Sequence, residues 1–265
     1  MLLLAATVKL SMTPHFGNNM NYQDYFNKPP TENTRVMCMI YGQPVTGKTT
    51  GARTFPDPHI LDFENNLPKG VGKVIPMWDD AFVDSIKKRS HPAWSANRRD
   101  VALMVAKDLA TQMPAGSTLI IDSLTRLETW YNIQENEEPP ILSATTKQPD
   151  TNAAYRKRLI YFDTFLTMFT TAKCNVVMIV HQQFERDEKR EVTQHVRPAL
   201  MGQIGEKLPG YFPILLQAVR RQAKPTDPVT FDWRVKSSMF EPARIPKPIA
   251  QDFIPQSYTE LAKYL

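Results

Sequence analysis

The sequence predicts an α/β protein: a mainly parallel central sheet with helices on both faces and an antiparallel extension at the C-terminal side. Three observations carry that expectation. Four short runs, 36–41 (VMCMIY), 59–63 (HILDF), 117–122 (STLIID) and 175–180 (NVVMIV), are largely apolar, as strands buried on both faces are. Helically patterned segments separate them, and strands alternating with helices imply a parallel sheet covered on both sides. Beyond residue 210 two further strand-like runs, 213–219 and 229–236, are joined by the turn-forming KPTDP of 224–228, which suits an antiparallel edge.

Along the chain, residues 1–34 carry Pro, Asn and Thr without periodicity and read as an extended arm, with a short strand at 2–10 that could pack on a neighbour. The run 1–10 is apolar, but it lacks the basic start and cleavage pattern of a signal peptide and is too short to span a bilayer. The expectation is a cytoplasmic protein with no membrane partner. At 265 residues the chain is long enough for one substantial core, here divided into the arm 1–34, a core 35–240 and a tail 241–265 that is proline-rich before a short helical stretch. Hydrophobic residues at 42% against 22% charged exclude wholesale disorder. A net charge of +5 admits a polyanionic partner without requiring one. Cys38 and Cys174 both sit in apolar strand-like runs, which suits buried reduced thiols better than a disulfide or a metal site.

The strand 36–41 is stopped by Gly42, and Gly42, Gln43, Pro44, Val45, Thr46, Gly47, Lys48 and Thr49 then spell G-x-x-x-x-G-K-T before a helical pattern at 49–54. Main-chain N–H groups of such a turn and of the following helix N-terminus converge on phosphate oxygens, and the helix dipole adds favourable potential. Gly47 lets the backbone approach closely. Lys48 would reach the β- and γ-phosphates, the Thr49 hydroxyl would ligate Mg²⁺, and Thr50 could bond the α-phosphate, so ATP and Mg²⁺ are the expected cofactors. A glycine turn matching by chance would not need the flanking strand and helix.

The strand 59–63 runs into Asp62, Phe63 and Glu64, and alternation puts Asp62 and Glu64 on one face. Hydrolysis needs a group that orients or deprotonates water, and Glu64 is the better placed; a solvated surface carboxylate is the alternative. Helical patterns follow at 81–89 and 98–112. The strand 117–122 ends in Leu119, Ile120, Ile121 and Asp122, where a carboxylate could hold magnesium. Asp122 could instead cap the helical segment 124–131, a duty for which Ser123 competes. Leu159, Phe162, Phe165, Leu166 and Phe169 recur at helical spacing within 152–173. The strand 175–180 ends in His181, Gln182 and Gln183; Gln182 could sense a γ-phosphate lying across the sheet top, or these residues could merely cap the strand.

Taken together, YGQPVTGKTT, ILDFENNLP, LIIDSL and VMIVHQQ resemble, in order and spacing, the motif set of the RecA-type ATPases over roughly 36–236. The resemblance implies a RecA-like P-loop fold, Glu64 as the catalytic carboxylate and Gln182 as the γ-phosphate switch. It also implies that 184–203 is a mobile DNA-binding loop, with Arg186, Lys189, Arg190, His195 and Arg197 for phosphates and Phe184 for base stacking. Glu185, Asp187, Glu188 and Glu191 bring that loop near zero net charge, so a solvated charged loop stays open as the alternative. Arg234 and Lys236 resemble the cationic pair that RecA-like rings and filaments insert into a neighbour's ATP site, although they could equally form a solvated strand face.

The implied partners are single-stranded DNA and further copies of the chain. Among RecA-like proteins the chain is similar to phage-encoded ATP-binding proteins of the Sak single-strand annealing group, which implies a viral protein in host cytoplasm. His181 departs from the asparagine of RecA itself. The leading function is an ATPase acting on single-stranded DNA in recombination, annealing or replication. A small-molecule kinase is a different class, for which no arginine-rich lid follows Asp122; a slow nucleotide-gated structural or loading factor is a third.

Overall fold

All six residues of β1 (Met37–Gly42) are buried, and their alternation divides the interior in two. Met37, Met39 and Tyr41 face one core and Cys38 and Ile40 the other, so the strand is covered on both sides, as its unbroken apolar run requires. The computed structural model describes residues 35–67, 72–90, 98–187, 192–222 and 224–265. The arm expected over 1–34, with its strand at 2–10, lies outside the described residues.

Beside β1 the strands are β2 (Pro58–Asp62), β3 (Lys73–Pro76), β4 (Thr118–Asp122), β5 (Asn175–Asp187), β6 (Val192–Pro198), β7 (Ile214–Arg221), β8 (Thr230–Arg234) and β9 (Phe253–Pro255). They form one sheet in the order β3-β2-β4-β5-β1-β7-β8-β9, with β6 paired to β5 off that path. Pairing is parallel from β3 through to β7 and antiparallel for β8 and β9. This is the expected α/β architecture, a mainly parallel sheet with an antiparallel extension at its C-terminal side. The register sets Gly42 beside His181 and Asp62 beside Asp122, so the carboxyl ends of β1, β5, β2 and β4 share one edge. Ligands of open α/β sheets bind at that edge.

The helices are α1 (Lys48–Ala52), α2 (Asp80–Ser90), α3 (Arg98–Gln112), α4 (Leu124–Glu137), α5 (Thr151–Thr167), α6 (Gly202–Lys207) and α7 (Tyr258–Ala262). Side chains of α2 to α5, among them Val83, Val101, Ala106, Leu127, Tyr131, Phe162 and Phe165, fill the Met39 side of the sheet. On the Ile40 side the cover is thinner: Ala52 and Phe55 after β1, Trp233 of β8, Ile254 of β9 and Leu261 of α7. The helix patterned over 152–173 starts where Asp150 accepts a 2.9 Å bond from the Ala153 N–H, and after Thr167 it tightens into a 3₁₀ turn, Met168–Thr171. Such a cap is worth about 1 kcal/mol.

Three strands are absent from the sequence reading. β3 is a four-residue edge strand, too short to show a period. β6 lies within the segment expected as a mobile loop, 184–203; β5 instead runs on to Asp187 and turns back as an antiparallel hairpin. β9 belongs to the tail 241–265, expected to wrap the surface, and joins the sheet beside β8. Cys38 and Cys174 are buried and unbridged. No helix among the described residues is long and apolar enough to cross a membrane.

Candidate functional site

After Gly42 the chain turns through left-handed backbone at Val45 (φ 63) and Gly47 (φ 81), and α1 then begins at Lys48. Gly47 is the N-cap and offers no side chain, so the first N–H groups of α1 stay open toward the loop. The Thr46 hydroxyl closes the turn by donating to the Gln43 carbonyl at 2.8 Å. The Lys48 ammonium is folded across it, donating to the carbonyls of Gly42 (3.0 Å) and Gln43 (2.7 Å). Burial lowers the Lys48 pKa, against the raising effect of the Asp122 and Glu64 charges.

One helix residue further on, the Thr49 hydroxyl donates a 2.7 Å bond to Oδ2 of Asp122. Asp122 is 2% exposed, and burial pushes its carboxyl up to about 6, with the charges of Glu64 and Asp62 adding to the rise and the Thr49 hydroxyl and Lys48 opposing it. The sequence left open whether Asp122 caps the next helix. Ser123 does that, accepting from the Arg126 N–H at 3.2 Å, and Asp122 is turned to Thr49 instead. A hydroxyl and a buried carboxylate are hard oxygen donors, a set that fits Mg²⁺ held jointly with phosphates. The cleft above them, of about 360 Å³, is lined by Pro44, Val45, Thr46, Gly47, Lys48, Thr49 and Thr50, with Arg53, Glu64, Asn66, Leu67, Asp122 and His181.

The same span is recognised independently by a family model, that of the AAA domain, which matches residues 34–241. The chain belongs to the AAA domain family. It is a P-loop nucleoside triphosphatase domain by that membership. Among solved structures the AAA domain is similar to the RadB recombinase, at 13% identity over 76% of this chain and 87% of that one, with a TM-score of 0.32. It is also similar to an ATPase from the type III secretion system of pathogenic bacteria, at 12% identity and a TM-score of 0.34, over 69% of this chain and 52% of that one. The AAA domain thus spans about half the length of the secretion ATPase. No curated protein sequence matches.

At the far wall of the AAA domain's cleft, Glu64 is held by three donors. His181 Nε2 lies 2.8 Å from its Oε1, the Ser123 hydroxyl donates to the same oxygen, and Asn66 donates to Oε2 at 2.8 Å. Burial works to raise the Glu64 pKa but is outweighed by the His181 and Ser123 hydrogen bonds and by the charges of His181 and Lys48, so the carboxyl stays below its ordinary value. Strand β2 ends at Asp62, so Glu64 lies in the bend beyond it and the two carboxylates have different surroundings. The Asp62 oxygens take the N–H groups of Glu64 and Asn65 and the indole of Trp78, which ties the β2 end into the sheet. Burial raises its pKa in spite of those bonds.

Gln182 is not brought to the cleft. Alternation turns it to the opposite side of β5 from His181, where its Oε1 accepts from Gln217 at 3.3 Å. The side chain that β5 sends to the cleft is His181, which the sequence pattern places beside Gln182 at the strand end. Of the residues expected to meet DNA, Phe184 is 45% exposed on the hairpin, and Arg197 is paired with Glu185 at 2.5 Å. Lys189, Arg190 and the side chain of Arg186 lie outside the described residues. Arg234 is held within its own chain: Nε donates to Gln217 at 3.0 Å, its guanidinium meets Glu241 at 2.7 Å, and it lies 4.7 Å above the Phe253 ring. Lys236 is exposed, 3.9 Å from Asp252.

One residue against the loop has no sequence signal at all. Gln256 donates from Nε2 to the Thr46 carbonyl at 2.9 Å, although 210 positions separate the two.

Proposed function

We propose that this domain binds Mg·ATP and hydrolyses it, as the motor of a protein that works on single-stranded DNA in recombination, annealing or replication. The observation that carries the chemical part is the convergence of Lys48, Thr49 and Asp122 on the mouth of one main-chain loop. Main-chain N–H groups from Thr46 to Thr50 and the Lys48 ammonium would hold the phosphates, and Thr49 and Asp122 would hold the metal. When bound there, magnesium would offset the negative charge of the phosphates. Glu64, across the cleft, is the group to orient or deprotonate a water. Lys48 in that reading exchanges two carbonyl partners for phosphate oxygens, and a desolvated ammonium gains from that exchange.

Three features support a polyanionic partner. The chain carries a net charge of +5; the pairing of β5 and β6 starts at Gln182, next to His181, which touches Glu64; and the hairpin displays the exposed ring of Phe184, with Arg186, Lys189, Arg190 and Arg197 along the same segment. Base stacking on an aromatic together with cationic phosphate contacts is the usual chemistry of single-strand binding. Assembly into a ring or filament, with Arg234 or Lys236 reaching a neighbour, belongs to the same proposal, as does a viral origin.

A second reading, a slow nucleotide-gated factor, is favoured by the three donors on Glu64. A carboxylate so bonded is a weak base, and turnover would wait until a partner draws His181 or Asn66 away. Measuring phosphate release with and without single-stranded DNA separates the two. Stimulation by DNA supports the motor; slow turnover that DNA leaves unchanged supports the gated factor; activity appearing only with a small acceptor would make the protein a kinase.

A further inference from the structure

A seven-residue strap near the C-terminus, 252–258, touches the chain on either side of the P-loop helix through Gln256 and Tyr258. The strap begins where the Val235 N–H donates to the Asp252 carbonyl at 2.9 Å, and it continues through β9. Gln256 is then fixed by its own backbone, whose N–H donates to the Phe231 carbonyl at 3.1 Å. Its side-chain amide spends both protons on main-chain oxygens, that of Thr46 in the P-loop at 2.9 Å and that of Asp232 in β8 at 3.0 Å. Past the helix, the Tyr258 N–H donates to the Thr54 hydroxyl at 2.7 Å and its ring packs on Phe55 at 4.9 Å. All of these strap residues follow residue 241, where the family match ends.

We propose that Gln256 is a positioning residue for nucleotide binding: it fixes the Thr46 carbonyl, and through it the direction in which the N–H group of Gly47 points. The proposal rests on the reading of this loop as the phosphate site. The peptide unit whose oxygen meets Gln256 is the unit whose nitrogen belongs to Gly47, so holding one end aims the other. Closeness on the remaining side leaves the loop little freedom to rotate. A Cβ on Gly47 would fall 2.6 Å from Gln256 Oε1, and one on Gly51 would fall 2.9 Å from Trp233 and 3.2 Å from the Gln256 side chain. Gly47 therefore answers to two demands, its left-handed φ of 81 and the amide stacked against it. Preorganised donors need no rearrangement when the anion arrives, so loosening this carbonyl weakens binding of every ligand that carries a β-phosphate. The chemical step, made by groups on the other wall, is left nearly unchanged.

The test compares wild type, Gln256→Glu and Gln256→Met as full chains, reading the dissociation constants of Mg·ATP and Mg·ADP, kcat at saturating ATP, and the melting temperature. Glutamate keeps the size of glutamine but turns a carboxylate toward two carbonyl oxygens; methionine keeps the bulk and loses the donor. The expected result is folded variants whose affinity for ATP and ADP falls together by about tenfold or more, Glu worse than Met, with kcat within about threefold of wild type. Binding as tight as wild type in either folded variant overturns the proposal. Should Gln256→Glu fail to fold, Gln256→Met decides by the same readings; if that too fails to fold, Gln256 is a general structural residue and the proposal is overturned. Failure of wild type itself to bind Mg·ATP would instead remove the phosphate-site reading, a result that no Gln256 variant can produce.

Discussion

Thr49 and Asp122, 73 residues apart in the chain, meet at 2.7 Å where the helix after β1 faces the end of β4. The bond holds a carboxylate that burial would rather see protonated. That tension between folding and chemistry governs the first prediction.

Asp122→Asn should make the protein more stable and inactive. The Asp122 pKa, about 6 in the fold against 3.8 for an unperturbed aspartate, is raised, so the folded form holds the extra proton. The contribution therefore favours folding fully below about pH 4 and is lost as pH climbs through about 6. At pH 7 in the presence of a chelator the asparagine variant should exceed wild type by about 3 kcal/mol, an advantage that shrinks toward zero near pH 4. Urea titrations at the two pH values check this, and equal stabilities at pH 7 would contradict it. Magnesium-dependent hydrolysis should be lost.

Lys48→Ala removes the cation at the phosphates. The loss in Mg·ATP affinity should be about 2–5 kcal/mol, as for truncating one partner of a desolvated charge pair. Because burial already lowers the pKa of this ammonium, the fold should lose little or nothing. Calorimetric titration with ATP, alongside a melting curve, reads both quantities.

For Glu64→Gln the proposal expects binding without turnover. Affinity for Mg·ATP should stay within about threefold, while single-turnover hydrolysis falls by about 10²–10⁴, the range for losing a positioned base. The depressed pKa carries a second consequence: ionised Glu64 contributes stability above its unfolded value, and that contribution is lost as pH falls through the lower folded value. The glutamine variant should accordingly be the less stable at pH 7. Normal hydrolysis by this variant would remove Glu64 from the role.

Substituting Arg186, Lys189, Arg190 and Arg197 together should weaken single-strand binding and flatten its salt dependence. Each lost phosphate contact lowers the slope of log K against log salt by about 0.7. Arg197 is already paired with Glu185, so its share should be smaller than that of an unpaired arginine. An unchanged slope in fluorescence anisotropy titrations would exclude the hairpin as the contact.

Arg234→Ala separates an inter-subunit role from an internal one. The side chain bonds Gln217 and Glu241 and covers Phe253, so its loss should destabilise the chain by about 1–3 kcal/mol. If it also serves a neighbour's ATP site, hydrolysis should fall in assembled protein and recover when the variant is mixed with a subunit carrying an intact Arg234 and Lys48→Ala. A drop in melting temperature with unchanged hydrolysis confines Arg234 to its own chain.

What the sequence determined is what is encoded locally. An apolar strand, a glycine turn and a lysine at a helix start occupy consecutive positions, so the loop from Gly42 to Thr49 was legible from pattern alone, and so were β1, β4 and the buried part of β5 with their continuous apolar runs. Asp122 could be placed at a strand end for the same reason. Its role could not be separated from capping until the fold gave the cap to Ser123.

Tertiary structure decided the rest, because contacts across the chain leave no periodic trace. Strand alternation states that His181 and Gln182 face opposite ways, but only the packing of β5 between β4 and β1 shows that His181 is the one turned to Glu64. The hairpin strand β6 sets Thr193, Gln194, His195 and Arg197 among its two valines and reads as loop until β5 supplies its partner. Gln256 is one more polar residue in a proline-rich tail by sequence; it becomes a partner of the P-loop only because β8 and β9 pair and carry it there.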